Sequence, residues 1–188
     1  MRRALQIDER SFGENHPSVA NRLNNLAQLL QATNRLKEAE PLMRRALQID
    51  ERSFGENHPS VATDLNNLAQ LLQATNRLVE AEPLMRRALQ IVEQSYGENH
   101  PSIAINLNNL ARLLQDTNRL KEAEPLMRRA FIIFLQSLGS SHSNTQALLN
   151  NYTALLQAMG RSPEQIRSKL AEMGGRYGIN LGCAGGRT

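Results

Sequence analysis

The chain contains 188 residues, and its 22 Lys and Arg against 18 Asp and Glu give a formal net charge of +4. Apolar residues make up 40% and aromatic residues 4%, with one Cys and no Trp, which excludes a disulfide scaffold and predicts an aliphatic core. The longest strongly apolar run, residues 130–135, is far shorter than the roughly 20 residues of a bilayer span. No secretory signal is recognisable at the start. We therefore predict a soluble, cytoplasmic protein with no membrane partner.

An internal repeat of 42 residues organises the sequence. Residues 1–42 and 43–84 differ at three positions, and residues 85–126 differ from the first copy at eight. A fourth copy begins at residue 127, and its sequence then diverges from the other three. A period of this length is typical of solenoids built from helical hairpins.

The repeat predicts the elements in chain order. Residues 1–12 predict an orphan helix, because they match the end of a second helix in the repeat. Hairpins are then expected at residues 17–53, 59–95, 101–137 and 143–173, the last closed by a short helix that starts at Ser162. Proline is common at the first position of a helix, and glycine is common directly after its last position. Residues 174–188, with six glycines, predict a flexible tail.

The apolar spacing within each copy resembles the tetratricopeptide repeat (TPR). The residues that carry this resemblance are Leu23, Leu26, Ala27 and Leu30 on the first helix, and Ala39, Met43 and Ala46 on the second. The copies are longer than the roughly 34 residues of the common form, and leucine replaces the usual Trp and Tyr. The strings Leu-Asn-Asn-Leu-Ala and Ala-Glu-Pro-Leu-x-x-Arg-Ala-Leu resemble the kinesin light chain type of this repeat.

This resemblance implies an all-α fold, a right-handed superhelical solenoid of antiparallel helical hairpins over residues 1–173. It also implies that the first helix of each hairpin lines a concave groove that binds partner peptides. A row of amides can hydrogen-bond the backbone of an extended peptide, because each amide both donates and accepts. The predicted groove residues are Asn21, Asn24, Asn25, Gln28, Gln31, Thr63, Asn66, Asn67, Gln70, Gln73, Ile105, Asn108, Asn109, Arg112, Gln115, Asp116, Asn150 and Asn151.

Two interpretations of these amides stay open at this point. They line the groove, or they bond one another and a neighbouring helix and only set the repeat geometry. Differences between the copies suggest that Ile105, Arg112 and Asp116 give selectivity, with Arg112 recognising an acidic group. Neutral drift on a solvated face is the alternative for these three positions.

The sequence gives little support for metal binding, nucleic acid binding or catalysis. The histidines at 16, 58, 100 and 142 precede helix starts, so we predict a helix-terminus role and no metal site. The Arg-Arg pairs follow acidic residues, and aromatic residues for base stacking are nearly absent, which predicts a charge-paired outer face and no nucleic acid partner. No catalytic arrangement and no cofactor motif is recognisable, so we predict that the chain is not an enzyme and binds no cofactor.

We therefore predict a non-catalytic scaffold that binds a protein or an extended peptide in the groove. The alternative is a structural, self-associating module, a spacer or assembly unit that stacks through its uncapped termini. Self-association would use the N-terminal helix or the apolar Phe131–Leu135 patch. That patch could equally pack under the fourth hairpin or against the tail.

Overall fold

The computed structural model describes residues 2–176, and everything structural below refers to that range. Within it the chain is all-α, with nine helices and no strand. The helices are α1 (Arg2–Phe12), α2 (Pro17–Ala32), α3 (Leu36–Phe54), α4 (Pro59–Ala74), α5 (Leu78–Tyr96), α6 (Pro101–Asp116), α7 (Leu120–Leu138), α8 (Ser143–Ala158) and α9 (Pro163–Arg176).

Histidine caps start the first helix of every hairpin. The Nδ1 atoms of His16, His58, His100 and His142 each accept a hydrogen bond from the backbone N–H two residues later, at 3.1–3.2 Å. Such a bond satisfies one of the backbone donors that a helix leaves open at its N-terminus. The predicted helix-terminus role of these histidines is confirmed.

Residues with positive φ separate the helices. Gly55 follows α3 with a φ of 86°, a conformation that glycine adopts without steric cost. Within each hairpin the chain turns at an asparagine, Asn34, Asn76 or Asn118, with φ between 57° and 60°. Gly160 takes this place in the fourth copy. Asparagine tolerates this left-handed conformation better than other non-glycine residues, which accounts for its recurrence.

The apolar stripe predicted for the first helix forms the core. Leu23 and Ala27 of α2 are fully buried, and Leu26 and Leu30 are 7% and 4% exposed. The two helices of each hairpin pack against each other: α2 on α3, α4 on α5, α6 on α7 and α8 on α9. The chain divides into two compact units, Met1–Glu98 and Asn99–Thr188. In the first unit α1 also packs on α2 and α3 on α4, and in the second α7 packs on α8.

The last helix begins with a capping box and ends later than the sequence suggests. The Ser162 hydroxyl accepts from the Gln165 backbone N–H, while the Gln165 side chain accepts from the Ser162 N–H at 3.0 Å. Ile166, Leu170 and Met173 form its buried face. The helix continues to Arg176, three residues past the boundary at 173. The rest of the Gly-rich tail lies outside the described residues.

The Phe131–Leu135 segment is not a surface patch. Phe131, Ile133, Phe134 and Leu135 are all at most 5% exposed. The hydroxyl of Thr145 on α8 donates to the Phe134 carbonyl, which ties this segment to the fourth hairpin. This burial favours the expected packing under the fourth hairpin, with Ile132 half-buried. Self-association through this segment stays a prediction.

Candidate functional site

The polar face of the first helices is open in each unit when that unit is taken by itself. In the first unit, the exposed predicted residues are Asn21, Asn25, Gln28, Thr63 and Gln70, and the half-buried ones are Gln31, Asn66, Asn67 and Gln73. In the second, the exposed residues are Ile105, Arg112, Asp116 and Asn150, and the half-buried ones are Asn108, Asn109, Gln115 and Asn151. These side chains retain contact with solvent.

Asn24 lies elsewhere. It is 9% exposed, and its Nδ2 donates to the carboxylate of Asp64 on α4. The helical arithmetic places Asn24 at the edge of the polar stripe, and the next hairpin covers that edge. Asn24 therefore packs between α2 and α4, whereas its neighbour Asn25 stays exposed.

One amide pair links two first helices in the second unit. Nδ2 of Asn151 on α8 donates to Oδ1 of Asn108 on α6 at 3.1 Å. This bond uses one donor and one acceptor, and each amide retains further capacity. The structural role that the sequence left open thus holds for Asn24, Asn108 and Asn151, whereas Asn21, Asn25 and Asn150 are exposed.

A pair of buried carboxyl groups lies behind the face of the first unit. Asp64 on α4 is 1% exposed and Asp50 on α3 is 5% exposed. Burial, followed by the proximity of Asp50, raises the pKa of Asp64 to about 7 against the hydrogen bond from Asn24. Burial also raises the pKa of Asp50, although His58 and Asp64 act in the opposite direction.

Sequence reasoning missed this pair, although the repeat contains the signal. The equivalent positions in the first copy are Asp8 and Arg22, and Arg22 Nε donates to Asp8 Oδ2 at 2.7 Å. In the second copy the arginine becomes Asp64 while the acid remains as Asp50. A comparison of the two positions together would have shown that an ion pair is replaced by two acids.

The second helices present a charge-paired outer face. Arg44 and Arg86 pair with the glutamates four residues earlier, at 2.8 and 2.7 Å, as the spacing predicts. Arg45 and Arg87 reach back to Glu9 and Glu51 of the preceding second helix, both at 2.8 Å. Such exposed pairs contribute about 0–1 kcal/mol each.

The second unit has an open cleft of about 490 Å³, lined by the turn residues 118–122 with Ala158 and Met159. No group of three metal-ligating His, Cys, Asp or Glu side chains is found between residues 2 and 176. None of the described helices has the length and apolarity of a membrane span.

Comparison with known proteins identifies the fold. The fold is similar to two structures of a candidate kinesin light chain from Podosopora anserina with nearly identical TPR-like repeats, one of them a single-substitution variant. The variant has a TM-score of 0.73 and 24% identity, the other 0.72 and 25%, and in both cases 92% of this chain and 84% of that chain are covered. BtubC (BKLC) from P. vanneervenii has a TM-score of 0.78 and 22% identity, covering 100% of this chain and 74% of that chain.

A family model confirms the resemblance from the sequence. No curated protein matches the sequence significantly. The tetratricopeptide repeat model matches residues 1–52, 23–91 and 65–131, which together cover more than half of the chain. Repeats of this family generally mediate protein–protein interaction or scaffolding and are typically non-catalytic. The chain belongs to the tetratricopeptide repeat family, and its all-α hairpins are of the kinesin light chain-like type.

Proposed function

We propose that the chain is a non-catalytic, cytoplasmic scaffold that binds an extended partner segment on the polar faces of its first helices. The observation that carries this proposal is the set of exposed neutral amides in consecutive hairpins, Asn25 and Gln28 on α2 and Gln70 on α4. An extended segment has free backbone donors and acceptors. Side-chain amides can hydrogen-bond both, whatever the side chains of the partner are. Asparagine is also a poor residue for a helix interior, so its recurrence on this face favours a binding role.

The face of the second unit supplies the selectivity in this proposal. Ile105 is 48% exposed, and Arg112 is exposed on the same helix. Seven residues separate the two, which is close to two helical turns and about 10 Å along one face. The earlier copies have Asn21 or Thr63 and Gln28 or Gln70 at these positions. An exposed guanidinium there favours a carboxylate of the partner, because arginine binds carboxylates bidentately.

The test starts from peptides selected from a random library on the full chain. We expect the selected acidic peptides to bind the Arg112→Gln variant about 10- to 100-fold more weakly, the range that a charged hydrogen bond of about 1.5–3 kcal/mol supports. Gln occupies this position in the first two copies, so the substitution is compatible with the fold. Replacing both Asn25 and Asn67 by Ala should weaken all selected peptides, whether acidic or not.

The control is Arg44→Ala on the outer face, which we expect to leave peptide affinity unchanged. Unaltered binding by Arg112→Gln would refute the selectivity contact. Equal weakening by the outer-face control and the amide variants would refute binding on the first-helix face.

A structural role in end-to-end stacking has its own supporting observation. Ile7 on α1 is 53% exposed, while its equivalents Ile49 and Ile91 are 2% and 1% exposed. Leu29 on α2 is 50% exposed, while Leu71 is fully buried. Positions that are buried in later copies are thus open in the first, which favours self-association through the N-terminal helix as the second candidate function.

A further inference from the structure

The contact between Asp50 and Asp64 requires a proton. The two carboxyl groups are buried at the junction of α3 and α4, at the positions where Asp8 and Arg22 form an ion pair at 2.7 Å in the first copy. Two carboxyl groups that share a buried site disfavour ionisation of both, and a protonated carboxyl group can donate a hydrogen bond to its ionised neighbour. Asn24 Nδ2 supplies a further donor to Asp64, whereas Oδ1 of Asp50 and Oδ2 of Asp64 receive no donor from the described residues.

We propose that Asp50 and Asp64 hold one shared proton and form a pH-sensitive contact between the first and second hairpins, which loosens when the proton leaves. The contact joins three helices of the first unit, with Asn24 on α2, Asp50 on α3 and Asp64 on α4. Loss of the proton places two negative charges side by side at a site where neither side chain is more than 5% exposed. Burying a charge without a compensating partner is costly, so the helices separate to admit water.

The charged groups around the pair do not neutralise it. From α3, Glu51 adds negative charge, and Arg87 of α5 ion-pairs with that glutamate at 2.8 Å. His58 at the start of α4 acts on Asp50, but its Nδ1 accepts the cap hydrogen bond from Ser60. Asn24 on α2 is neutral. The groups that act on Asp64 thus include no cation, although His58 favours the charged form of Asp50.

The repeat provides an internal comparison. In the first copy the same two positions hold Asp8 and Arg22, which form an ion pair and need no proton. Asn106 occupies the arginine position in the third copy. Among these copies, the second is the one that places two acids in the equivalent positions, so the pH dependence is expected to be local to its junction with the first hairpin.

The sign of the effect follows from linkage. The pKa of Asp64 is about 7 in the folded chain, above its ordinary value of 3.8. Between these two pH values the folded chain holds a proton that the unfolded chain has lost. Stability from this contact is complete at low pH and is lost as the pH rises toward 7. One bound proton makes the folding equilibrium constant fall about tenfold per pH unit in the middle of the window.

The proposal is tested by urea unfolding of the full-length wild type and of the Asp64→Asn variant between pH 5 and pH 8. Asparagine is the residue at this position in the third copy. We expect the stability ratio of wild type to variant to fall about tenfold per pH unit between pH 5 and pH 7. The control is Asp8→Asn, which removes the ion-paired acid that corresponds to Asp50 in the first copy and should keep the wild-type pH dependence. A variant and a wild type with the same pH dependence would overturn the proposal.

Carboxyl ¹³C NMR of the wild-type chain tests the proton directly and does not depend on how the variant folds. We expect one of the two carboxyl groups to titrate near pH 7, and titration of both below pH 5 would overturn the proposal.

Discussion

Tyr152 on α8 changes the packing of the last hairpin through one hydroxyl group. It replaces a leucine that occupies the same position in the other copies, and it is fully buried. Its hydroxyl donates to Glu124 at 2.7 Å, and Lys169 of α9 donates to the same oxygen at 2.8 Å. Burial raises the pKa of Glu124, but these two hydrogen bonds outweigh it, so the pKa lies below its ordinary value. Glu124 thus links three helices as a carboxylate.

Replacing Tyr152 by Phe should reduce the free energy of unfolding by about 1–2 kcal/mol, because the half-buried carboxylate of Glu124 loses a hydrogen bond while the ring stays in place. Urea unfolding of the full chain at pH 7 measures the loss. The matched control is Tyr96→Phe, since the second copy already has Phe54 at that position and the side chain is 45% exposed. An equal effect of both variants would contradict the role assigned to the Tyr152–Glu124 bond.

At the scale of the element, the histidine cap of α4 combines two interactions. His58 Nδ1 accepts from the Ser60 N–H at 3.1 Å, and its ring stacks on Phe54 with 4.5 Å between ring centroids. The same pair of contacts occurs at His16, whose ring lies 4.9 Å from that of Phe12. Each cap thus joins the end of one second helix to the start of the next first helix.

Two substitutions separate these interactions at His58. His58→Ala removes both, and His58→Asn restores the cap, because asparagine is among the best N-cap residues, without restoring the ring. We expect the Asn variant to be more stable than the Ala variant by about 1 kcal/mol in thermal unfolding. Equal stability of the two would show that stacking, and not the cap, accounts for the recurring histidine.

At the scale of the whole molecule, the exposed residues of the first copy provide a test of self-association. Ile7→Glu places a charge where stacking would bury an isoleucine, so any concentration-dependent growth in mass seen by light scattering should disappear. Val79→Lys is the control, because Val79 is 89% exposed and the first and third copies already have lysine there. A wild-type chain that stays monomeric at every concentration would count against the stacking function.

The sequence was sufficient for the architecture because the signals are local and repeated. Apolar residues at helical spacing, a proline after a histidine and a glycine after an aromatic residue each act within a few residues. Repetition made these signals unambiguous, and the same features place the helix starts and ends in the structure. The ninth helix extends past its predicted end because Gly174 and Gly175 look like a helix terminator in the sequence, but Gly174 is buried within the helix.

The amino-acid sequence by itself therefore determined the family, the hairpins and the core stripe of the first helices. Tertiary structure decided which of two adjacent asparagines is buried, Asn24 or Asn25, because the answer depends on how the next hairpin covers the edge of the polar stripe. It likewise decided that Asp50 and Asp64 meet and that Phe131–Leu135 is covered. Each of these outcomes depends on packing between hairpins, and helical periodicity describes one helix at a time.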